Sequence, residues 1–210
     1  LERSEPAGIP TEIGPPLDAQ FYLQDTVAVA RALLGKGLFV RLNGTELLGE
    51  IVEVEAYLGD TDPASHAFRG LNRRNGSMFE NGGTSYVYLS YGINYCINVV
   101  TREKGRAEAV LLRALRPILG LPAMRANRHL APGRPDTWIA NGPGKLCQAM
   151  RIDLTFDRQQ FFQESFKIID LGLSYRNRDI AATPRIGISK ARDEKLRFVI
   201  KSSPWLSRKA

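Results

Sequence analysis

Residues Gly49 to Gly59 read GEIVEVEAYLG, and the alternation of apolar and acidic side chains within them constrains the fold more than any other stretch. Strand side chains point to opposite faces at successive positions, so Val52, Val54 and Ala56 share one face and Glu53, Glu55 and Tyr57 the other. The β-branched residues disfavour a helix. Just upstream, Asn43-Gly44 supplies the tight turn of a hairpin between Leu38-Phe39-Val40-Arg41-Leu42 and the run from Glu46. The segment is therefore predicted to be the long arm of a hairpin inside a sheet. Taken alone, its charge alternation describes an antiparallel strand with one wet, acidic face. A chemical role requires partners from elsewhere in the chain.

The 210 residues fit one domain with a sizeable core, and a hydrophobic content of 43% with 24% charged residues is ordinary for a globular protein. We expect that domain over 19–210, preceded by a flexible, proline-bearing tail over 1–18 (Pro6, Pro10, Pro15, Pro16). No apolar run approaches the ~18 residues of a membrane span, so no membrane partner is expected. The first residues lack the basic-then-apolar order of a secretory signal, which suggests an intracellular protein. A formal net charge of +7 favours a polyanion as partner. Nucleic acid fits better than a membrane surface, because the basic residues lie in loops such as Arg69-Gly70-Leu71-Asn72-Arg73-Arg74-Asn75 and not along an amphipathic helix. Cys96 and Cys147 each sit inside an apolar run and read as buried thiols in a reducing compartment. With only His66 and His129, and no closely spaced Cys or His pairs, no metal site is expected.

Along the chain, Asp25 or Thr26 caps a helix with an apolar stripe of Val27, Ala30, Leu33 and Leu34, stopped by Gly35. From Asp60 to Gly83 runs a loop-rich connection, first acidic and then basic, of a length that usually signals function or disorder. Ser85 to Tyr91 and Tyr95 to Val100 read as two strands joined near Gly92, with Tyr91 at the hairpin tip. A strand from Ala109 to Leu115 follows. Pro122 and Pro143 each open a short helix, and strands at Phe166–Asp170 and Leu196–Lys201 complete the domain. The predicted fold is α+β: a single, mostly antiparallel curved sheet with short helices around it and a protruding β-hairpin.

Three features could carry chemistry: Glu53 and Glu55 with Tyr57; the tyrosine-rich hairpin of Tyr86, Tyr88, Tyr91 and Tyr95; and Arg113 inside an otherwise apolar strand. A buried guanidinium needs a carboxylate or carbonyl partner, and Glu55 is a candidate; the alternative is that Arg113 faces solvent on an edge strand. An aromatic at a hairpin tip beside a basic loop has the form of a wedge between base pairs. Asn141-Gly142-Pro143-Gly144-Lys145 departs from the phosphate-loop pattern and reads as a turn into a helix whose Lys145 could meet a DNA phosphate.

These residues, in this order, resemble the alkyladenine (methylpurine, or 3-methyladenine) DNA glycosylase family. The resemblance runs from about Phe21 to Ser207. It is carried by Ile51 to Gly59, Ala64-Ser65-His66, Tyr86-Val87-Tyr88 with Tyr91-Gly92, Leu111 to Leu115, Gly142-Pro143 with Lys145 to Ala149, Arg185-Ile186-Gly187 and Ser203-Pro204-Trp205. It implies a monomeric, cofactor-free and metal-free base-excision enzyme, DNA-associated in the nucleus of a eukaryote or the cytoplasm of a bacterium. Such an enzyme flips damaged purines from double-stranded DNA and hydrolyses their N-glycosidic bond, leaving an abasic site. By the same resemblance, Glu55 is the general base, with Arg113 and the Ile186 backbone carbonyl holding the attacking water. Tyr57, Tyr88 and His66 sandwich the base. Tyr91 fills the gap in the stack, while Ile93, Arg73, Arg74 and Lys145 contact DNA. Asn98 crowds the 2-amino group of guanine and so favours adenine-type lesions: 3-methyladenine, hypoxanthine and ethenoadenine. Glu53 is taken as structural. The sequence departs from the family pattern at Ala67 to Gly70 and at Ile93, where a Met is expected.

Three other readings remain open. One is a non-catalytic module that binds distorted duplexes, and another is a nucleosidase acting on free nucleosides. The third is a glycosylase with lyase activity, whose amine nucleophile would most readily be Lys145.

Overall fold

The hairpin encoded by Asn43-Gly44 is present in the computed structural model, which describes residues 13–209. Asn43 (φ 49°) and Gly44 (φ 77°) both adopt the left-handed backbone that a type I′ turn requires. They join β1 (Lys36–Leu42) to β2 (Thr45–Tyr57), and β2 is the strand around which the sheet is built. One edge of β2 pairs with β5 (Glu108–Leu119). Its other edge is shared, by β1 as far as Glu50 and by β8 (Arg197–Ile200) from Glu53 to Glu55. The strands β3 (Ser85–Ser90) and β4 (Asn94–Thr101) extend the sheet beyond β5. At the far edge β6 (Phe166–Asp170) pairs with β1, and β7 (Ile180–Thr183) pairs with β8. The result is an eight-stranded, antiparallel sheet. The four α-helices among the described residues are short: α1 (Ala19–Tyr22), α2 (Thr26–Leu33), α3 (Leu121–Asn127) and α4 (Pro143–Met150). The α+β expectation therefore holds, and no helix among the described residues is long and apolar enough to cross a membrane.

Two compensating irregularities shape the centre of this sheet. Ile51 faces Leu115 and Glu53 faces Ala114, so Val52 is an extra residue in β2; Val54 then faces Leu112, so Arg113 is an extra residue in β5. A bulge re-aims the side chain beside it, and two opposed bulges restore the register beyond them. Arg113 is thereby turned onto the acidic face of β2.

The main core gathers α1, α2 and α4 against one side of the sheet, with Leu33, Ile51, Val54, Leu112, Leu146 and Phe166 at its centre. In α2 Asp25 caps as expected, accepting from the amides of Val27 (3.0 Å) and Ala28 (3.1 Å). The buried residues of α2 are Thr26, Val29, Ala30 and Leu33, so the expected stripe through Val27 is rotated. Both stripes satisfy helical spacing, and packing against the sheet selects one. A smaller cluster of Ala67, Met78, Tyr86, Val100 and Ala109 with Tyr88 lies beneath the cavity described below.

Only the end of the expected tail is described. Residues 1–12 lie outside the described residues, but 13–18 are docked: Leu17 N–H donates to the Ile168 carbonyl at 2.8 Å, and Pro16 bridges to Ile169. Leu17 and Ile13 each cover an apolar cluster that the sheet would otherwise leave open. Strand β7, with its short sequence Ile-Ala-Ala-Thr, carries too little alternation to be recognised before its partner β8 is known.

Candidate active site

Glu55 lies at the centre of the sheet with none of its surface exposed, which removes the wet-strand alternative. Its Oε2 accepts from the Tyr57 hydroxyl at 2.9 Å and from Arg113 Nη1 at 3.1 Å; its Oε1 accepts from the Ile186 amide at 2.7 Å. Ile186 thus meets the acid through its N–H, a contact the sequence reading, which had its carbonyl hold the water, did not include. The cause is positional: Ile186 follows Arg185, which is clamped by Asp62 (Nη2 to Oδ1, 2.8 Å) and by the Ala56 carbonyl (2.9 Å).

Two residues away, Glu53 is equally buried and serves a different purpose. Its Oε1 accepts from Arg113 Nε (2.9 Å), Arg197 Nε (2.8 Å) and the Ser207 hydroxyl (2.6 Å), and its Oε2 accepts from the Ser207 amide (2.6 Å). Burial opposes the negative charge of Glu53, but hydrogen bonds from Arg197 and Ser207 and the nearby guanidinium charges outweigh it, so its pKa lies below the ordinary value. Arg113 is buried too. Burial works against its charge, Glu55 and Glu53 restore it, and the guanidinium stays protonated.

Above Glu55 opens a cavity of about 690 Å³ whose lining includes Tyr57, His66, Tyr88, Asn98, Arg113 and Ile186. Glu55 is not itself in that lining; Tyr57, Arg113 and Ile186, which hold it, are. Burial, and then the Glu55 carboxylate, push the Tyr57 phenol far above its usual range, so it remains a hydrogen-bond donor. The ring of Tyr57 is backed by the Arg185 guanidinium at 4.7 Å.

The second aromatic group is a cluster. His66 and Tyr88 meet edge-to-face with centroids 4.7 Å apart, and Tyr86 and Tyr88 lie tilted at 5.3 Å. His66 Nδ1 is hydrogen-bonded to the Tyr86 hydroxyl at 2.9 Å. Burial, with the Arg74 charge adding to it, lowers the His66 pKa and keeps the imidazole neutral at pH 7. Contact this close leaves no room for a base between His66 and Tyr88.

His66 is placed by a residue that the sequence did not single out. Asn75 is fully buried and its Nδ2 donates to the His66 carbonyl (2.9 Å) and to the Gly70 carbonyl (3.0 Å), stitching the loop into one conformation. Asn98 Nδ2 donates to the carbonyl of its cross-strand partner Tyr86 at 3.0 Å, which fixes the amide at the cavity wall.

The β3–β4 hairpin presents Tyr91 at its tip. Tyr91 has φ 51° and is 89% exposed, with Ile93 78% exposed beside it. Arg73 is exposed in the loop after His66. Arg74 is exposed as well, but leans over the cavity wall: its guanidinium stands over the Tyr88 ring at 5.2 Å and Nη2 donates to the Leu89 carbonyl at 3.0 Å. Lys145, on the first turn of α4, does not line the cavity; its Nζ donates to Asn141 Oδ1 at 2.8 Å. The lysine that does line it is Lys190, at the rim. Cys96 and Cys147 are free and buried, as expected, and Cys96 unexpectedly contributes to the cavity wall.

A family model described as methylpurine-DNA glycosylase matches residues 20–204. The chain belongs to the methylpurine-DNA glycosylase family. It is a DNA glycosylase, a hydrolase of N-glycosyl bonds that serves DNA repair. Among its relatives is a protein of Carboxydothermus hydrogenoformans, 42% identical over 193 residues that cover 92% of this chain and 99% of that one. Another, from Methanoculleus marisnigri, is 43% identical over 196 residues, covering 92% and 99%. A third, from Francisella tularensis, is 42% identical over 189 residues, covering 88% and 94%. All are provisionally named 3-methyladenine DNA glycosylase.

In this glycosylase the buried guanidinium Arg185 is the main member of the site that motif reading quoted without assigning it work. Its signal was present in the run Arg185-Ile186-Gly187, but its partner Asp62 lies far away in the chain, and nothing in either segment alone pairs them.

Proposed function

We propose that this glycosylase excises adenine-type lesions (3-methyladenine, hypoxanthine, ethenoadenine) from duplex DNA, with Glu55 as the general base. One observation carries this reading. A fully buried carboxylate is held by Tyr57, Arg113 and Ile186, all of which line one aromatic cavity. A carboxylate offers about four acceptor positions, and donors from the protein occupy three of those on Glu55. The remaining position is on Oε1, next to Ile186. A water held there is polarised for attack on C1′ of the flipped nucleotide.

As the C1′–N bond breaks, its electron pair leaves with the base, the water oxygen bonds to C1′, and the water proton passes to Glu55. The negative carboxylate also stabilises the positive charge that develops on the sugar. A purine alkylated on a ring nitrogen is already cationic and departs as a neutral base. Tyr57 and the Tyr88–His66 cluster sandwich the base, with Asn98 excluding the guanine 2-amino group. Tyr91 and Ile93 replace the flipped base in the stack, and Arg73 and Lys145 neutralise phosphates. The protein acts as a monomer.

The test is base release from duplexes carrying hypoxanthine or ethenoadenine. Wild type should release both, and Glu55→Gln should bind the same duplexes without releasing either. Equal turnover by wild type and Glu55→Gln would remove Glu55 from the chemistry. Release from a free nucleoside at the duplex rate would point to a nucleosidase instead. Borohydride should trap no covalent adduct, since hydrolysis by water forms no imine.

A further inference from the structure

We propose that Arg74 is a specificity-determining residue: its guanidinium, standing over Tyr88 at the wall of the base cavity, biases the site against positively charged bases and toward neutral ones. This rests on the reading of the cavity as a lesion pocket.

Four observations support it. Arg74 lines the cavity, although it belongs to the exposed loop after His66. It is held there, since Nη2 donates to the Leu89 carbonyl at 3.0 Å and its own amide donates to Asn72 Oδ1 at 2.8 Å. The guanidinium lies 5.2 Å from the Tyr88 centroid, within the range of a cation on an aromatic face. Among the described residues no carboxylate lies within ion-pair distance of Arg74, whereas the cavity's other guanidinium, Arg113, is neutralised by Glu53 and Glu55. His66 points the same way: burial is the main cause of its lowered pKa, and the field of Arg74 adds to it, disfavouring a second positive charge in this corner of the site.

A stacked guanidinium and an alkylated purine compete for the same thing, the electron-rich face of Tyr88. A neutral purine such as hypoxanthine stacks beside the guanidinium without charge repulsion, whereas a ring-methylated purine meets a like charge in a partly dry cavity. Arginine suits this position better than lysine, because its planar, weakly hydrated group stacks.

The experiment places 3-methyladenine and hypoxanthine in competition, as a dimethyl-sulfate-treated duplex mixed with a hypoxanthine duplex. The ratio of the two kcat/KM values is read directly from the bases released. Arg74→Gln and Arg74→Ala should both raise the ratio of 3-methyladenine to hypoxanthine release by about tenfold, the order expected from removing one like charge at stacking distance. Arg74→Lys, which keeps the charge, should stay near the wild-type ratio. Lys190→Gln removes a charge from the cavity rim and should move the ratio less than Arg74→Gln does. The proposal is overturned if both rates fall together in all three Arg74 variants, which would make the residue a plain phosphate contact. It is equally overturned if Lys190→Gln shifts the ratio as far, which would make the effect one of overall cavity potential. If wild type released neither base, the lesion-pocket reading itself would fail, a result visible before any variant is made.

Discussion

The two acids of β2 sit two positions apart, both buried and both bonded to Arg113, yet the regions around them differ in one respect. The Glu53 side is turned away from the cavity: Arg113, Arg197 and Ser207 supply four donors, three of them to Oε1, and the one donor to Oε2, the Ser207 amide, belongs to a residue that does not line the cavity. The Glu55 side is left one donor short, and that gap lies next to residues that line a cavity. A carboxylate bonded by four donors holds strands together. One whose open position lies beside the cavity can hold and deprotonate a water. The chemistry thus follows from which partners each acid has and where they lie, since the residue type and strand are the same.

The sharpest way to break this comparison is to neutralise each acid in turn. Glu55→Gln should lower kcat by ~10²–10⁴-fold, the usual contribution of a positioned base, with lesion-duplex affinity kept. Glu53→Gln should act on folding instead, with a loss of about 3–5 kcal/mol in urea unfolding, because it leaves Arg113 and Arg197 short of a buried partner. If Glu53→Gln folded as well as wild type but lost excision, the division of labour between the two acids would be wrong.

Acid titration of stability is the next largest effect. Glu53 and Asp62 are held below their ordinary values of 4.5 and 3.8, for Asp62 because hydrogen bonds and charge from Arg185 outweigh the opposing effect of burial. The unfolded chain therefore binds protons first on acidification. Their stabilisation is complete above those values and is lost as pH falls through the folded-state pKa values. His66, lowered from 6.5 by burial and by Arg74, adds a loss of the same sign that starts as pH falls through that higher value. Urea midpoints measured from pH 7 down to 3 should fall in two stages, and Glu53→Gln should flatten the lower one.

The smallest effect on stability belongs to the hairpin tip. Tyr91→Ala should change unfolding free energy by no more than about 0.5 kcal/mol, since the ring is 89% exposed. It should weaken binding to a lesion duplex by about 1–3 kcal/mol, the worth of one stacking contact. A large stability loss there would mean that the tip packs against the protein and is not free to act as a wedge.

Much of the fold was legible because its signals are local. Asn43-Gly44 dictates its turn, Asp25 caps its helix, and Pro143 starts α4 in the positions that short-range chemistry requires. The acids, Tyr57 and Tyr88 were legible as strand residues sharing faces. What remained hidden depends on distant partners. Val27 and Val29 compete for one helix face, and only the sheet beneath decides. Arg113 in an apolar strand was equally compatible with solvent or core until the paired bulges turned it onto β2. Arg74 read as a DNA contact, and only the fold shows it reaching over Tyr88 to the Leu89 carbonyl.

The sequence by itself determined most of the strands, their tight turns, the family and the set of residues available for catalysis, because side-chain periodicity and turn chemistry act over a few neighbouring positions. Tertiary structure alone decided which of two identical acids keeps an unused acceptor beside the cavity. That outcome depends on Ser207 and Arg197 arriving at Glu53 and on Ile186 arriving at Glu55, contacts between segments separated by more than a hundred residues that no local pattern encodes.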